Sequence, residues 1–278
     1  MSSWLLILLA PFLGGLLYGL ERKVRARMQN RMGPPLLQPF YDALKLIDKR
    51  PMIIHSTHAL LGVAHFLGVW LAFALLVLGV DLLLVVFFHL MATLFLVLAA
   101  QSVRSIYSHI GATRELLTLI AYEPFFVLAA VALQQKSGLT GAPAILENAP
   151  SMLTSLSLLL LALLIILPAK LKKSPFDASE AHQEIIGGAD IEFSGIFYEA
   201  LYTARWIEYL FAYGFILLFA GSDWISGLII AMSAFLLINL IDNAVPRVRW
   251  DTMLKIIVAT ALPLTIANLA WLYWGGAQ

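Results

Sequence analysis

Eight long apolar runs constrain the fold of this chain more than any other feature of its sequence. A helix needs about 20 apolar residues to cross a bilayer. Hydrophobic residues make up 61% of the 278 residues and charged residues only 13%, a composition that excludes an ordinary soluble domain. We predict an all-α fold, a polytopic membrane helix bundle that forms a single membrane domain over residues 1–278. The eight transmembrane helices are predicted at Ser3–Leu20, Ala59–Gly79, Leu82–Ser102, Glu115–Gln134, Met152–Ala169, Gly195–Ala220, Asp223–Ile241 and Thr252–Trp274.

The distribution of basic residues predicts how the chain is oriented. Apart from Lys136 and Arg205, every Lys and Arg lies in or beside the loops that follow the first, third, fifth and seventh spans. The positive-inside rule therefore predicts a multi-pass protein of the cell membrane, with these loops in the cytoplasm and both termini outside. Very short turns around Val80-Asp81 and Gly221-Ser222 predict two tight antiparallel hairpins on the outer side.

The first cytoplasmic loop contains a segment, Leu36–Arg50, with helical amphipathic spacing. Phe40, Leu44 and Ile47 share one stripe, and charged residues occupy another. This pattern predicts a cytoplasmic amphipathic helix that lies in the membrane interface. The alternative is a plain solvated linker.

The cytoplasmic loop at residues 170–194 collects acids at one edge of the bilayer. An acid in that position needs a partner, water or a proton, so the cluster indicates a proton or ion pathway. Asp177 as an N-cap, Glu180 three residues later and Gly187-Gly188 as a stop predict a short helix with its acids on one face. Imidazole titrates near neutral pH, which adds a histidine to the candidates. The candidates in this loop are Asp177, Glu180, His182, Glu184, Asp190 and Glu192.

Glu123 lies well inside the fourth predicted span, where a charged acid costs roughly 2.5–3.5 kcal/mol on insertion scales. Pro124 follows it and is expected to open the helix by removing a backbone donor. A carboxyl beside an opened helix favours proton or ion handling. The alternative is an acid kept for packing alone.

The sixth predicted span contains three further candidates, Glu199, Arg205 and Glu208. Arg205 and Glu208 are three residues apart and are expected to pair on one face. Glu199 is seven residues beyond Glu192 and would extend the acidic stripe into the membrane if one helix runs through both. An Arg–Glu pair that only fixes helix packing is the alternative. His65 and His89 each stand alone in an apolar span and are interpreted as satisfied hydrogen-bonding groups of the bundle.

Several classes of chemistry have no counterpart in the sequence. The chain has no cysteine, which excludes disulfides and thiolate-bound iron–sulfur clusters within it. It also lacks a nucleotide-binding loop, a nucleophile elbow and any metal-ligand spacing, and we expect no metal, no catalytic residue and no nucleic-acid partner.

Four motifs, in order along nearly the whole chain, resemble those of one known family. They are ERKVRARMQNRMGPP with LLQPFYDALKL, RELLTLIAYE, SPFDASEAHQEIIGGADIEFSG and PRVRWD. Together they are similar to subunit 1 of respiratory complex I (the NuoH type) and to the matching membrane subunit of energy-converting (group 4) membrane-bound [NiFe] hydrogenases. Pro34-Pro35 and the Ala181–Glu184 stretch look more like the hydrogenase branch.

The resemblance implies a membrane subunit that couples redox chemistry to ion movement. Soluble [NiFe]-hydrogenase-like large and small subunits, which carry the nickel–iron site and the iron–sulfur clusters, would dock on the cytoplasmic loops and reduce protons with ferredoxin electrons. Antiporter-like membrane subunits would receive the coupled charge, with Glu123 and Glu192 as directly transferable family acids. Arg205 stands where the family often has a glutamate, and Glu208 comes three residues later. The basic residues expected to dock the redox subunit are Arg25, Arg27, Arg31, Arg247 and Arg249.

Two other functions remain open from the sequence. One is a quinone-site subunit of complex I or of a related NADH or ferredoxin:quinone oxidoreductase. The other is a stand-alone ion transporter, against which the absence of a visible inverted repeat argues.

Overall fold

A computed structural model describes residues 3–275 of the chain, without the side chain of His182, and over that range the fold is a helical bundle. Short 3₁₀ turns at Gly188–Asp190 and Leu218–Ala220 flank the ninth helix. The helices are α1 (Ser3–Met28), α2 (Gln38–Asp48), α3 (Ser56–Leu78), α4 (Leu82–Gln101), α5 (Ile106–Ser137), α6 (Ala142–Asn148), α7 (Ser157–Lys170), α8 (His182–Ile185), α9 (Gly195–Leu217), α10 (Trp224–Ala244) and α11 (Trp250–Gly275).

Seven of the described helices, all except α2, α6, α7 and α8, are long and apolar enough to cross a membrane. The predicted polytopic bundle is confirmed, but the fifth predicted span, Met152–Ala169, forms a helix of only 14 residues. Asn268 of α11 explains how α7 can begin inside the bundle. Its side chain accepts a hydrogen bond from the Leu159 N–H at 2.7 Å and donates one to the Ser155 carbonyl at 2.8 Å. These bonds satisfy backbone groups that a helix end would otherwise leave unpaired in an apolar environment.

Both predicted hairpin turns are present. Each ends in an aspartate that caps the start of the next helix, Asp81 for α4 and Asp223 for α10. The Asp81 carboxylate accepts a hydrogen bond from the Leu83 N–H at 2.9 Å, and Asp223 accepts one from the Ser226 N–H. The Ser222 N–H in turn donates to the Ala149 carbonyl at 2.9 Å. Aspartate side chains thus satisfy the first free donors of α4 and α10.

The predicted amphipathic helix is confirmed as α2, although its apolar stripe divides between two environments. Phe40 packs between the rings of Phe12 and Trp206, with centroid separations of 5.3 Å to each. Leu44 and Ile47 are exposed on the outer side of the helix. The inner side of α2 therefore fastens it to α1 and α9, while the outer side offers apolar surface to the membrane interface.

The prediction of a helix that starts at Asp177 is wrong, and so is the prediction that the acids of this loop share one helical face. Residues 171–181 form turns, and α8 covers only His182–Ile185. The acids of the loop pair with cations on several different elements, and these tertiary ion pairs prevail over the local capping pattern. The predicted glycine stop is also displaced, because Ile186 is the residue that adopts the left-handed conformation after α8, at φ 61°.

Glu192 and Glu199 do not lie on one continuous helix, contrary to expectation. The chain turns between them, and α9 begins at Gly195 with φ 57°. A β-carbon there would press on Pro51 and the Lys49 carbonyl. Glycine is therefore required both for its positive φ and for the close approach of the first loop.

We predict opposite outcomes for two Gly→Ala substitutions within helices. A β-carbon at Gly14 of α1 would collide with the backbone carbonyl of Trp206 in α9, whereas one at Gly214 would meet only Leu76 at an ordinary 3.8 Å. Gly14→Ala should destabilise the protein by about 1–3 kcal/mol, because the α1–α9 contact must open. Gly214→Ala should be neutral or slightly stabilising. Thermal unfolding in mild detergent measures both, and equal melting temperatures for the two variants would contradict the predicted helix contact.

Candidate functional site: a buried ion-pair network

Two acids of the loop make ion pairs near the end of the bundle where the basic loops gather. Asp177 accepts two hydrogen bonds from Arg247, at 2.8 and 2.5 Å, and Glu184 accepts one from Arg114 at 2.6 Å. These hydrogen bonds, donated to the Asp177 carboxylate, raise the pKa of the Arg247 guanidinium above its ordinary value. These pairs fasten the acidic loop to the α10–α11 connection and to α5.

Deeper in the bundle, Lys172 and Arg205 bind the remaining paired acids of the loop. Lys172 Nζ lies 3.1 Å from Glu115 and 3.2 Å from Glu180, and Arg205 lies 2.7 Å from Glu180 and also pairs with Asp190. Burial disfavours the charged lysine, but the carboxylates of Glu115, Glu180 and Asp190 outweigh it and raise the pKa of Lys172. Lys172 is therefore held as a cation between acids of the loop and of α5.

An inner group of side chains lies beyond the loop, among α4, α5, α7 and α9. Lys170 Nζ is 3.2 Å from Glu208, and it also lies over the ring of Tyr122 at 5.3 Å. His89 stands between two carboxyls, with Nε2 3.8 Å from Glu208 and Nδ1 3.9 Å from Glu123. Lys170 is 2% exposed, His89 1% and Glu123 5%. Charged groups buried this fully are costly unless they are paired, so their collection at one place is characteristic of a functional site.

A second branch of the network runs between α1 and α10. Glu21 pairs with Lys173 and with Arg25, the latter at 2.9 Å, and Arg25 also lies 2.5 Å from Asp242. Burial lowers the pKa of Lys173, although Glu21 opposes that shift. The Asp242 carboxylate additionally accepts a hydrogen bond from the Ser174 N–H at 3.0 Å. This branch joins the start of the acidic loop to α1 and α10.

A polar cavity of about 250 Å³ links the loop, the inner group and the second branch. Glu180 and Arg205 line it from the loop side, Glu208 from the inner side, and Arg25 and Asp242 from the second branch. Charged walls and this volume suit a few water molecules rather than an apolar ligand. The cavity therefore offers a polar space, large enough for water, between Glu180 and Glu208.

The remaining sequence candidates occupy separate positions. Glu192 is partly exposed in the turn before α9, and Glu199 accepts a hydrogen bond from Thr203 at 2.5 Å. The side chain of His182 lies outside the described part of the chain. The expected Arg205–Glu208 pair is wrong, because Arg205 bonds to the acidic loop and Glu208 to Lys170. Pro124 does not open its helix, since α5 continues from Ile106 to Ser137.

The arginines predicted to dock a redox subunit fall into two groups. Arg25 and Arg247 are committed to ion pairs within the chain. Arg27, Arg31 and Arg249 are exposed at the end of the bundle that carries the acidic loop. Arg249 also pairs with Asp251 at 3.1 Å, so Arg27 and Arg31 are the exposed arginines of this set that form no ion pair among the described residues.

The sequence patterns do not reveal most of the buried partners of the acids. By pattern alone, the lysines that open the acidic loop are orientation signals, and His89 is an isolated packing residue. One signal does point to the network, because two acids within a single apolar helix, Glu115 and Glu123, require cations or protons from neighbouring segments. The site residues that the sequence analysis did not name as candidates are Glu21, His89, Glu115, Lys170, Lys172, Lys173 and Asp242.

The fold and the site together define a multi-pass membrane protein with ionisable groups connected through its core. The chain belongs to the NADH dehydrogenase family, which it matches over residues 2–273. It is 29% identical to NADH-ubiquinone oxidoreductase chain 1 of Mycosarcoma maydis, over 95% of this chain and 92% of that protein. It is 26% identical to hydrogenase-4 component C of Escherichia coli, over 97% of this chain and 93% of that protein.

A solved structure supports the same assignment. A chain of the membrane-bound sulfane sulfur reductase (MBS), an archaeal respiratory membrane complex, superposes with a TM-score of 0.86 at 26% identity and covers 96% of both chains. The protein is therefore a membrane subunit of the kind found in complex I-like and hydrogenase-4-like oxidoreductases. The predicted resemblance is confirmed at this level.

We predict that breaking the Lys170–Glu208 pair destabilises the protein and that removing both charges restores it. Lys170→Met leaves a buried carboxylate without its cation, which should cost about 3–5 kcal/mol. Adding Glu208→Gln removes that carboxylate and should recover most of the loss. Thermal unfolding in detergent reports both effects, with Arg249→Met at an exposed pair as the control that leaves stability unchanged. Full stability of Lys170→Met alone would rule out the pair.

Proposed function

We propose that this chain is the membrane subunit of an energy-converting, hydrogenase-type complex. In this role it docks a soluble redox arm and couples ferredoxin-driven proton reduction to the movement of protons or other ions. The observation that carries the proposal is the chain of buried ionisable groups, which runs from the acidic loop at Glu180 through the polar cavity to Glu208 and Glu123. A bundle that needed only mechanical stability would be served as well by apolar side chains at these places.

Alternating acids and bases give the network the means to respond to a nearby redox step. A change of charge at a docked redox centre would shift the balance between Glu180, Lys172 and Arg205. Lys172 and Arg205 share Glu180, so a movement of either cation alters the field at Glu115 or Asp190 as well. Water in the cavity would carry the change on to Glu208. Electrostatic coupling of this kind is strong because little solvent screens it.

The redox arm would sit where the exposed arginines and the acidic loop share one end of the bundle. The positive-inside rule assigns that end to the cytoplasm and both termini to the opposite side. We propose that hydrogenase-like large and small subunits, carrying the nickel–iron site and the iron–sulfur clusters, bind there. Antiporter-like membrane subunits would receive the coupled charge laterally. The relatives support this arrangement, because the similar proteins are components of multi-subunit respiratory or hydrogenase complexes.

The lining of the polar cavity favours the hydrogenase branch over a quinone-reducing one. A quinone with a lipid-soluble tail needs an apolar channel, and drug-sized ligands usually occupy about 300–1,000 Å³. The cavity beside Glu180 is smaller than this and is lined mainly by charged and tyrosine side chains. Pro34-Pro35 and the Ala181–Glu184 stretch, which look more like the hydrogenase branch, support the same choice.

A quinone-site subunit is the second candidate, and a different cavity favours it. About 300 Å³ of space lies between α2, the acidic loop and α9, where Leu46, Phe193 and Tyr198 meet the polar Asp190 and Arg205. Apolar walls beside a charged pair would suit a quinone ring. Purification of the complex in mild detergent decides between the two, because a co-purifying nickel–iron subunit with hydrogen evolution supports the hydrogenase. Bound quinone, with turnover sensitive to quinone-site inhibitors, would instead establish the second candidate.

We predict that Glu123→Gln uncouples the complex. The amide keeps the shape and a neutral hydrogen-bonding head but cannot cycle a proton, so electron transfer should persist while ion pumping by the reconstituted complex is lost. Glu123→Asp should retain part of the pumping. Pumping at the unmutated level in Glu123→Gln would overturn the role of the network in coupling.

We also predict that charge reversal at exposed arginines releases the redox arm. Arg27→Glu combined with Arg31→Glu should leave the bundle folded and abolish co-purification of the soluble subunit, because neither residue is buried in the chain. Lys136→Glu, an exposed charge reversal of the same sign at the other end of the bundle, is the control and should leave the complex intact. An intact complex in the double arginine variant would show that docking uses another surface.

A further inference from the structure

One buried histidine lies close to both of the innermost carboxyls, Glu208 and Glu123. His89 of α4 presents Nε2 to Glu208 of α9 at 3.8 Å and Nδ1 to Glu123 of α5 at 3.9 Å. Its ring is stacked on Phe211, with a centroid separation of 4.5 Å and an interplanar angle of 15°. The stacking fixes the plane in which both nitrogens face carboxyls.

We propose that His89 is the proton relay between Glu208 and Glu123, and that this relay is gated by distance. The proposal rests on the proposed function and identifies the group that carries the proton across its innermost step. His89 Nε2 and Glu123 Oε1 are both buried without a hydrogen-bond partner within the described chain. Buried polar atoms are rarely left unpaired, and exceptions occur where a group exchanges partners during function.

The proton and charge balance of the relay is simple. With the neutral imidazole protonated on Nδ1, a protonated Glu208 transfers its proton to Nε2 and becomes a carboxylate. The resulting imidazolium releases its Nδ1 proton to the Glu123 carboxylate, which becomes neutral. His89 is left as the other neutral tautomer, and a reorientation of the ring that carries the Nε2 proton to the Glu123 side resets it for the next proton. One proton has then moved from α9 to α5.

The two long distances provide the gate. Each distance is about 1 Å longer than a hydrogen bond, so in this structure the proton path through His89 is interrupted on both sides. Closure of about 1 Å at each carboxyl, or one water on each side, would complete it. Lys170 is positioned to control this closure, because it binds the same Glu208 oxygen, Oε1, that faces His89. While Lys170 pairs with Glu208, Glu208 stays a carboxylate and has no proton to give to His89. When a change of charge among the groups that line the cavity weakens this pair, Glu208 can take up a proton and become the donor.

The groups around His89 distinguish it from His65, one of the two buried histidines on the neighbouring helix α3. Glu123 on α5, Glu208 on α9 and Lys170 on α7 are the charged groups that face this site. His65 on α3 instead makes an ordinary hydrogen bond to the Ala92 carbonyl at 2.8 Å. His65 lies within electrostatic reach of Glu208 but makes no close contact with an acid among the described residues, so it serves as a control of the same residue type and burial.

The experiment uses the whole complex reconstituted in liposomes, with charge movement per electron pair followed by a potential-sensitive dye. His89→Gln and His89→Phe, the latter keeping a ring against Phe211, should reduce charge movement per electron pair by at least about tenfold. Electron transfer and the melting temperature of the complex should change little, and His65→Gln should behave as the unmutated complex does. Full charge movement in both His89 variants would overturn the proposal.

Two comparisons keep this test separate from that of the proposed function. Loss of pumping in Glu123→Gln together with normal pumping in both His89 variants would overturn the relay alone. Normal pumping in Glu123→Gln would overturn the role of the network in coupling as well, whereas an unmutated complex that moves no charge would overturn the proposed function itself. If the His89 variants do not assemble, redox-induced infrared difference spectra of the unmutated complex with ¹⁵N-labelled histidine provide the readout. A ring band that shifts with the label supports the relay, and the absence of any histidine band overturns it.

Discussion

The cost of keeping charge away from water governs how this bundle is built. An unpaired buried ion is destabilising by several kcal/mol, so every ionisable group that enters the core must bring a partner with it. Lys170, Lys172 and Lys173 are the clearest consequence. They lie at and just beyond the end of the apolar helix α7, and each pairs with different acids. Lys170 pairs with Glu208, Lys172 with both Glu115 and Glu180, and Lys173 with Glu21. Three lysines within four residues thereby join α1, α5 and α9 to a single loop.

The same constraint explains the conformation of the acidic loop. A local helix would have placed its acids on one face, where they repel one another and no cation is near. The observed turns instead bring Asp177 to Arg247, in the connection between α10 and α11, and Glu184 to Arg114 of α5. The loop is thus shaped by its partners on other helices, and a change of charge at any one partner has a direct mechanical route to the others.

Features that depend on composition and on local spacing were predictable from the sequence. The apolar runs, the hairpin turns beside Asp81 and Asp223, the interfacial helix α2 and the burial of Glu123 all follow from patterns within one segment. The partners of the buried charges were not predictable, because they depend on which helices pack together. His89 shows this most clearly, because no residue near it in the sequence indicates that it packs between the carboxyls of Glu123 and Glu208 from two other helices. The length of α7 was missed for the same reason, because its starting point depends on Asn268 of a distant helix.

If the buried network couples redox chemistry to ion movement, its carboxyls must change protonation when the complex turns over. Redox-induced infrared difference spectroscopy of the intact complex measures this directly through the C=O stretch of protonated carboxyl groups. We expect a carboxyl band that appears or shifts on reduction and is lost selectively in Glu208→Gln or Glu123→Gln, while Glu147→Gln, at the opposite end of the bundle, leaves it unchanged. Spectra with no carboxyl band, or with a band that survives both network substitutions, would contradict a coupling role for the network.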